Sequence, residues 1–221
     1  MKKRFHLLLC VGIIWFIQGA EIQAQEKSQG LVATPAPDAR PTDMSGKKNP
    51  ASFEHVHALA TDASGKVMFV GTHVGLFRSD GGTSTWQKVA LSTKQSNFEV
   101  MAVTPDPHDP KTIYAATHEA GIFKSADGGL SWKAINEGIR GPDVHGLAVD
   151  PNSPSKLHAV VGEKGAGIYR STNGGGKWSR VNEGPGQEIK FLSSVNISTG
   201  MGGIFLYAGT STGLQRSPDC F

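Results

Sequence analysis

The sequence predicts an all-β protein built from a repeated unit of 46 residues, and three observations predict it. Composition is the first: 28 of 221 residues are glycine, roughly 13% against a usual share of about 7%, and only 19% are charged. Such a chain favours short strands and tight turns over helices. The second is an exact interval. Gly75-Leu76-Phe77-Arg78-Ser79 returns as Gly121-Ile122-Phe123-Lys124-Ser125, Gly167-Ile168-Tyr169-Arg170-Ser171 and Gly213-Leu214-Gln215-Arg216-Ser217, each 46 residues on. The third is that Trp86, Trp132 and Trp178 keep the same step.

The elements follow in chain order. Lys2-Lys3-Arg4 and the ten apolar residues from Leu7 to Phe16, closed by Ile22-Gln23-Ala24, predict a signal peptide over residues 1–24. The apolar run is short for a bilayer span, so membrane attachment is expected only if this segment stays uncleaved. Cys10 lies inside that run with no small residues before it, which argues against a lipoprotein site. Residues 25–52 are rich in Pro, Ala, Ser, Lys and Asp, lack hydrophobic period and read as a flexible linker. Residues 53–221 hold the repeats.

Charge excludes one class of partner. The formal net charge is +3, but residues 1–24 carry three of the positive charges and one negative one, leaving about +1 after cleavage. A nucleic-acid binder of this size keeps a basic excess, so nucleic acid is not expected. Cys220 is the only cysteine beyond residue 24 and has no partner for an internal disulfide. Asn196-Ile197-Ser198 matches a glycosylation sequon.

Each repeat reads as four strands. In the second, strand A spans residues 99–104, B 112–117, C 121–125 and D 131–135, with Pro105-Asp106-Pro107 and Asp127-Gly128-Gly129 as turns. Four strands in about 45 residues is the blade of a β-propeller. The chain then holds three complete blades and a fourth lacking its last strand. Leu76, Ile122, Ile168 and Leu214 are expected at equivalent buried positions of strand C.

The C–D turn is the most specific signal. Ser125-Ala126-Asp127-Gly128-Gly129-Leu130-Ser131-Trp132 reads S-x-D-G-G-x-S-W. A short acidic side chain accepts backbone N–H groups of its own turn, glycine takes positive φ, and Trp covers the hairpin. The copy at Ser171, Asn173 and Trp178 uses Asn for Asp; that at Ser79, Asp80 and Trp86 has its Asp one place early; the last, Ser217 and Asp219, is incomplete. These motifs resemble the Asp-box of BNR-repeat propellers, including the photosystem II stability and assembly factor family; sialidases, xyloglucanases and the sortilin ectodomain use similar boxes. The resemblance implies a secreted or periplasmic propeller, usually of six to eight blades, that binds proteins or glycans. Three arrangements stay open: a piece of a longer propeller, which is favoured because an open sheet edge invites aggregation; self-association through the open blade edge; or a small four-bladed ring completed by the N-terminal segment, which its prolines disfavour.

Candidate chemistry comes in three sets. Glu54, Glu99, Glu119, Glu137, Glu163 and Asp143 are carboxylates of the kind glycoside hydrolysis requires, but none sits in a recognisable signature and no catalytic residue is assigned. His57 and His145 open strand A, and His73 and His118 follow strand B. Both positions lie at one end of a blade, so the four imidazoles are expected to converge near one mouth, as ligands for a divalent metal or as hydrogen-bonded loop residues. No other cofactor is expected. Arg78, Lys124, Arg170 and Arg216 place one base per blade at one register, a candidate arc for an acidic protein surface or a polyanionic glycan, or a solvated face. The expected function is exported, non-catalytic binding or scaffolding, as in an assembly factor. The alternative is a glycan-binding or glycan-cleaving propeller.

Overall fold

The computed structural model describes residues 53, 55–81, 83–91, 98–186, 188–195 and 204–217. The expected signal peptide, the linker, Glu54, the sequon, Asp219 and Cys220 lie outside the described residues.

The strands form four successive antiparallel sheets. Blade 1 is β1 (Val56–Thr61), β2 (Val67–Thr72), β3 (Gly75–Asp80) and β4 (Gln87–Val89). Blade 2 is β5 (Val100–Pro105), β6 (Ile113–Thr117), β7 (Gly121–Ser125) and β8 (Lys133–Ala134). Blade 3 is β9 (Val144–Val149), β10 (Leu157–Val161), β11 (Gly167–Ser171) and β12 (Ser179–Asn182). Blade 4 has three strands among the described residues, β13 (Ile189–Val195), β14 (Phe205–Thr210) and β15 (Gly213–Arg216). The chain is a β-propeller of four blades, and its strands start within about two residues of the places the repeat predicts.

Strand A of every blade carries a β-bulge at its second residue. Val56 pairs with Thr72 and Ala58 with Gly71, leaving His57 as the extra residue. Met101, His145 and Lys190 are the extra residues of β5, β9 and β13. A bulge re-aims its side chain out of the pleat's alternation, and nothing in the repeat interval announces it.

The C–D turn of blade 2 is closed by its own side chains. Ser125 Oγ donates to Asp127 Oδ1 at 2.8 Å and accepts the Gly129 N–H at 2.8 Å. Asp127 Oδ1 accepts the N–H of Ser131 at 2.9 Å, and Oδ2 accepts its hydroxyl. These bonds, led by the Ser131 hydroxyl and amide, hold the Asp127 carboxyl down at about 2. Because Ser131 belongs to this turn, strand D begins only at Lys133. In blade 3, Ser171 and Asn173 repeat the arrangement through Gly175 and Lys177. In blade 1, Asp80 instead pairs with Arg78 at 2.8 Å, and its carbonyl accepts the Thr83 hydroxyl.

Blades stack through their faces. Phe69 and Leu76 of blade 1 meet Val100, Val103 and Phe123 of blade 2. Ile122 of blade 2 meets Leu147, Tyr169 and Trp178 of blade 3. Trp178 is 2% exposed, and its ring N–H donates to Ile135 O of the preceding blade at 2.8 Å. It therefore seals a blade junction as well as its own hairpin. Leu76, Ile122 and Ile168 are buried as expected; Leu214 is not, at 64% exposed. Its sheet is the last described, and no following blade lies on that face among the described residues.

His158 is a core residue that the motif reading passed over. The pairing register puts it level with Phe69, Tyr114 and Tyr207, and it is fully buried. Burial first, then the charges of Lys156 and Arg170, push its pKa down to about 4, against the opposing Asp150. Its folded pKa lies below the unfolded value, so unfolding takes up a proton. Stability should fall as pH drops from about 6.5 towards 4, by up to about 3 kcal/mol, and level off below. Urea titrations across that range check this, and His158→Tyr, which restores the residue of blades 2 and 4, should flatten the slope.

Trp178→Ala should cost about 3–5 kcal/mol, as for other buried aromatic truncations, with the denaturation midpoint as the readout.

Candidate functional site

Three positions of the repeat meet at the first two blade junctions. One is the residue before strand A, the second is the bulged residue of strand A, and the third is the residue after strand B. Strand pairing brings the first and third together within a blade: His118 N–H donates to Glu99 O at 3.0 Å, and Gly162 N–H to Asp143 O at 2.9 Å. Blade stacking then brings the third residue of one blade to the first residue of the next.

At the junction of blades 1 and 2, His73 Nδ1 lies 2.9 Å from Glu99 Oε1, and His57 Nε2 lies 3.2 Å from the same oxygen. The two rings meet edge to face at 4.5 Å. At the junction of blades 2 and 3, His118 Nδ1 and His145 Nε2 each lie 2.7 Å from Asp143 Oδ1. Both clusters use Nδ1 of the loop histidine, Nε2 of the bulge histidine and one carboxylate oxygen. They differ in one respect: His57 comes from the blade before the carboxylate, His145 from the blade that carries it. Blade 2 has Met101 at the bulge.

The environments also differ. For His57, burial first and then the His73 charge lower the pKa, over the opposing pull of Glu99. For His118, burial works downward, but the hydrogen bond and charge of Asp143, with Glu99 and Glu119, raise it overall.

The junction of blades 3 and 4 breaks the rule. The residue after strand B is Gly162 where blades 1 and 2 have histidine, while Glu188 keeps the carboxylate before strand A. A β-carbon at Gly162 would run into Oδ2 of Asp143. Beside Gly162 lies a cavity of about 520 Å³, whose lining sets His118, Asp143, His145, Glu163, Glu183 and Glu188 among Val160, Val161, Ala166, Ile189 and glycine. Glu163 holds φ at 39°, a left-handed conformation uncommon outside glycine and Asx residues. Arg180 lies 3.6 Å from Glu183 and Lys190 3.7 Å from Glu188, both on open surface.

The four imidazoles therefore form two pairs at successive junctions, at the same end of the blades, and not a single four-histidine cluster. What the sequence reading missed is the carboxylate in each pair. In the sequence Glu99 and Asp143 read only as carboxylates of the kind glycoside hydrolysis requires. Their place before strand A, 44 residues apart, is the signal that pairs them with the histidines.

The basic set is tied to the same stacking. Arg78 Nε donates to Gly128 O at 2.9 Å and Lys124 Nζ to Gly174 O at 3.3 Å, each reaching 50 residues ahead to the C–D turn of the next blade. Arg216 lies over the Phe205 ring at 4.6 Å, and Arg170 is half-buried beside His158. The neighbouring blade thus gives the base in blades 1 and 2 a structural employment. Arg78→Met should lower stability by about 1–2 kcal/mol and Lys124→Met by less, since a charged donor to a carbonyl is worth about 1.5–3 kcal/mol at good geometry. Thermal melts of the two variants check this.

No protein-family model and no curated protein sequence matches the chain. Solved structures do. An ancestral GH74 enzyme superposes with a TM-score of 0.56 at 19% identity, covering 77% of this chain and 25% of that one. The extracellular domain of a hybrid two-component system from B. thetaiotaomicron gives 0.56 at 20%, covering 75% and 23%. YCF48 bound to D1 peptide gives 0.53 at 14%, covering 75% and 50%. The likeness is one of fold. The chain spans about a quarter to a half of these structures, which include an enzyme, the extracellular domain of a two-component system and a peptide-bound protein.

Proposed function

We propose that this chain is an exported, non-catalytic propeller module that binds a basic segment of another protein in the cavity between blades 3 and 4. The observation that carries the reading is the cavity's lining: the three carboxylates of Glu163, Glu183 and Glu188 among glycines and the apolar side chains of Val160, Val161, Ala166 and Ile189. Such a lining attracts Lys or Arg side chains through charge and accepts their aliphatic stems on its apolar part. Export is supported by the pattern of residues 1–24 and by extracellular domains among the structural neighbours. Peptide binding on a similar fold, in YCF48 with D1 peptide, supports a protein ligand. Hydrolysis is the weaker reading. Glu99 and Asp143 each face two imidazoles through one oxygen, so neither stands free to flank a glycosidic bond.

Fluorescent peptides graded from Lys/Arg-rich to acidic, measured by anisotropy at two salt concentrations, test the proposal. Basic peptides should bind, more weakly at high salt. The triple change Glu163→Gln, Glu183→Gln and Glu188→Gln should weaken them at least tenfold. Equal affinity of the variant, preference for acidic peptides, or turnover of a glycoside panel would each overturn the reading.

A further inference from the structure

The cavity does not account for the cluster between blades 1 and 2, which lies outside its lining. The two clusters share a donor set and a construction, and that points to a ligand of their own.

We propose that His57, His73 and Glu99, and separately His118, Asp143 and His145, are two sites for a divalent transition metal of the zinc class. In each set the three donor atoms lie within 4.8 Å of one another. Ligand bonds of about 2.0–2.2 Å put the donors of a tetrahedral ion roughly 3.3 Å apart, so small side-chain rotations admit the ion. Two imidazoles and one carboxylate suit zinc, copper or nickel; calcium and magnesium prefer all-oxygen sets.

The repetition is the stronger argument. A single meeting of two histidines and a carboxylate needs no ligand. Here the same nitrogens, Nδ1 of the loop residue and Nε2 of the bulge residue, converge on one carboxylate oxygen at two successive junctions. The bulge histidine comes from a different side of the junction each time. The donor set is thus kept while its blade of origin changes.

Three protein ligands leave a coordination position open. At the second site that position borders the cavity, because its three residues stand in the cavity wall. A metal there turns its open position to the cavity, where water or an oxygen donor of a bound segment would complete it, not a Lys or Arg side chain; at the first site it faces solvent, since His57 and His73 are exposed.

The test uses the full chain, stripped with chelator and dialysed against zinc. Elemental analysis and calorimetry should give two zinc ions per chain. Glu99→Gln should lose one and His118→Gln the other, each weakened at least tenfold, and the double variant should bind neither. The His118 side chain is 39% exposed, so its change spares the junction packing, which circular dichroism verifies. Copper in place of zinc gives a readout that does not depend on any variant: its electron paramagnetic resonance spectrum should show coupling to imidazole nitrogen. No zinc retained at micromolar concentration, two ions still bound by the double variant, or a copper spectrum without nitrogen coupling would each overturn the proposal.

Discussion

A four-stranded blade has two apolar faces and cannot cover either by itself. Everything else in this chain is arranged around that constraint. Leu76 and Ile122 are fully buried on the forward faces of blades 1 and 2 because the next blade lies on them. Leu59 shows the converse. It is 67% exposed at the position where Val103 and Leu147 are buried, since no blade precedes blade 1 among the described residues. Burial of one leucine is worth about 2 kcal/mol, so the same repeat position contributes fully in the middle of the array and little at its ends. Phe53 moderates this on blade 1 by packing edge-on against Phe77 and Trp86 at 5.1 and 5.3 Å.

Apolar stacking sets that blades meet; polar contacts set how. Thr104 Oγ1 donates to Leu147 O, Gly121 N–H to Pro142 O and Trp178 Nε1 to Ile135 O. Arg78 and Lys124 reach forward to the turn of the next blade, and His73 and His118 to the carboxylate before its strand A. Most of these groups are specific to direction, so a blade's forward and backward faces are different surfaces that fit each other. An apolar surface alone would allow sliding. Directed donors at the rim of each face fix the rotation between blades.

The strands were legible in the sequence because the interval between Gly75, Gly121, Gly167 and Gly213 is kept at the start of strand C, although the loop leading to it from strand B varies between two and five residues. Strand A keeps a different interval. The residues before it, His55, Glu99, Asp143 and Glu188, are spaced at 44, 44 and 45 residues and differ in type. An identity-based repeat therefore hides them, although the fold makes them equivalent. The bulge was invisible for a related reason: one extra residue in β1, β5, β9 and β13 changes which face a side chain takes without changing the hydrophobic pattern around it. The basic register was legible as a repeat but not in its contacts, because its partners lie 50 residues away.

Positions that keep the repeat explain the scaffold, and positions that break it locate the chemistry. Met101 breaks the bulge series, so blade 2 supplies one donor to each neighbouring cluster, Glu99 backward and His118 forward, and none from its own strand A. Gly162 breaks the loop series. A histidine there would face Glu188 and close the third junction as the first two are closed. Its β-carbon would also collide with Asp143, whose carboxylate already holds two imidazoles. The second cluster and a side chain at residue 162 are thus alternatives for the same space: Asp143 can be fully engaged backward only if nothing stands there. A side chain restored at that place would disturb the carboxylate and intrude on the cavity together, so the cluster and the cavity are parts of one site that meet at Gly162.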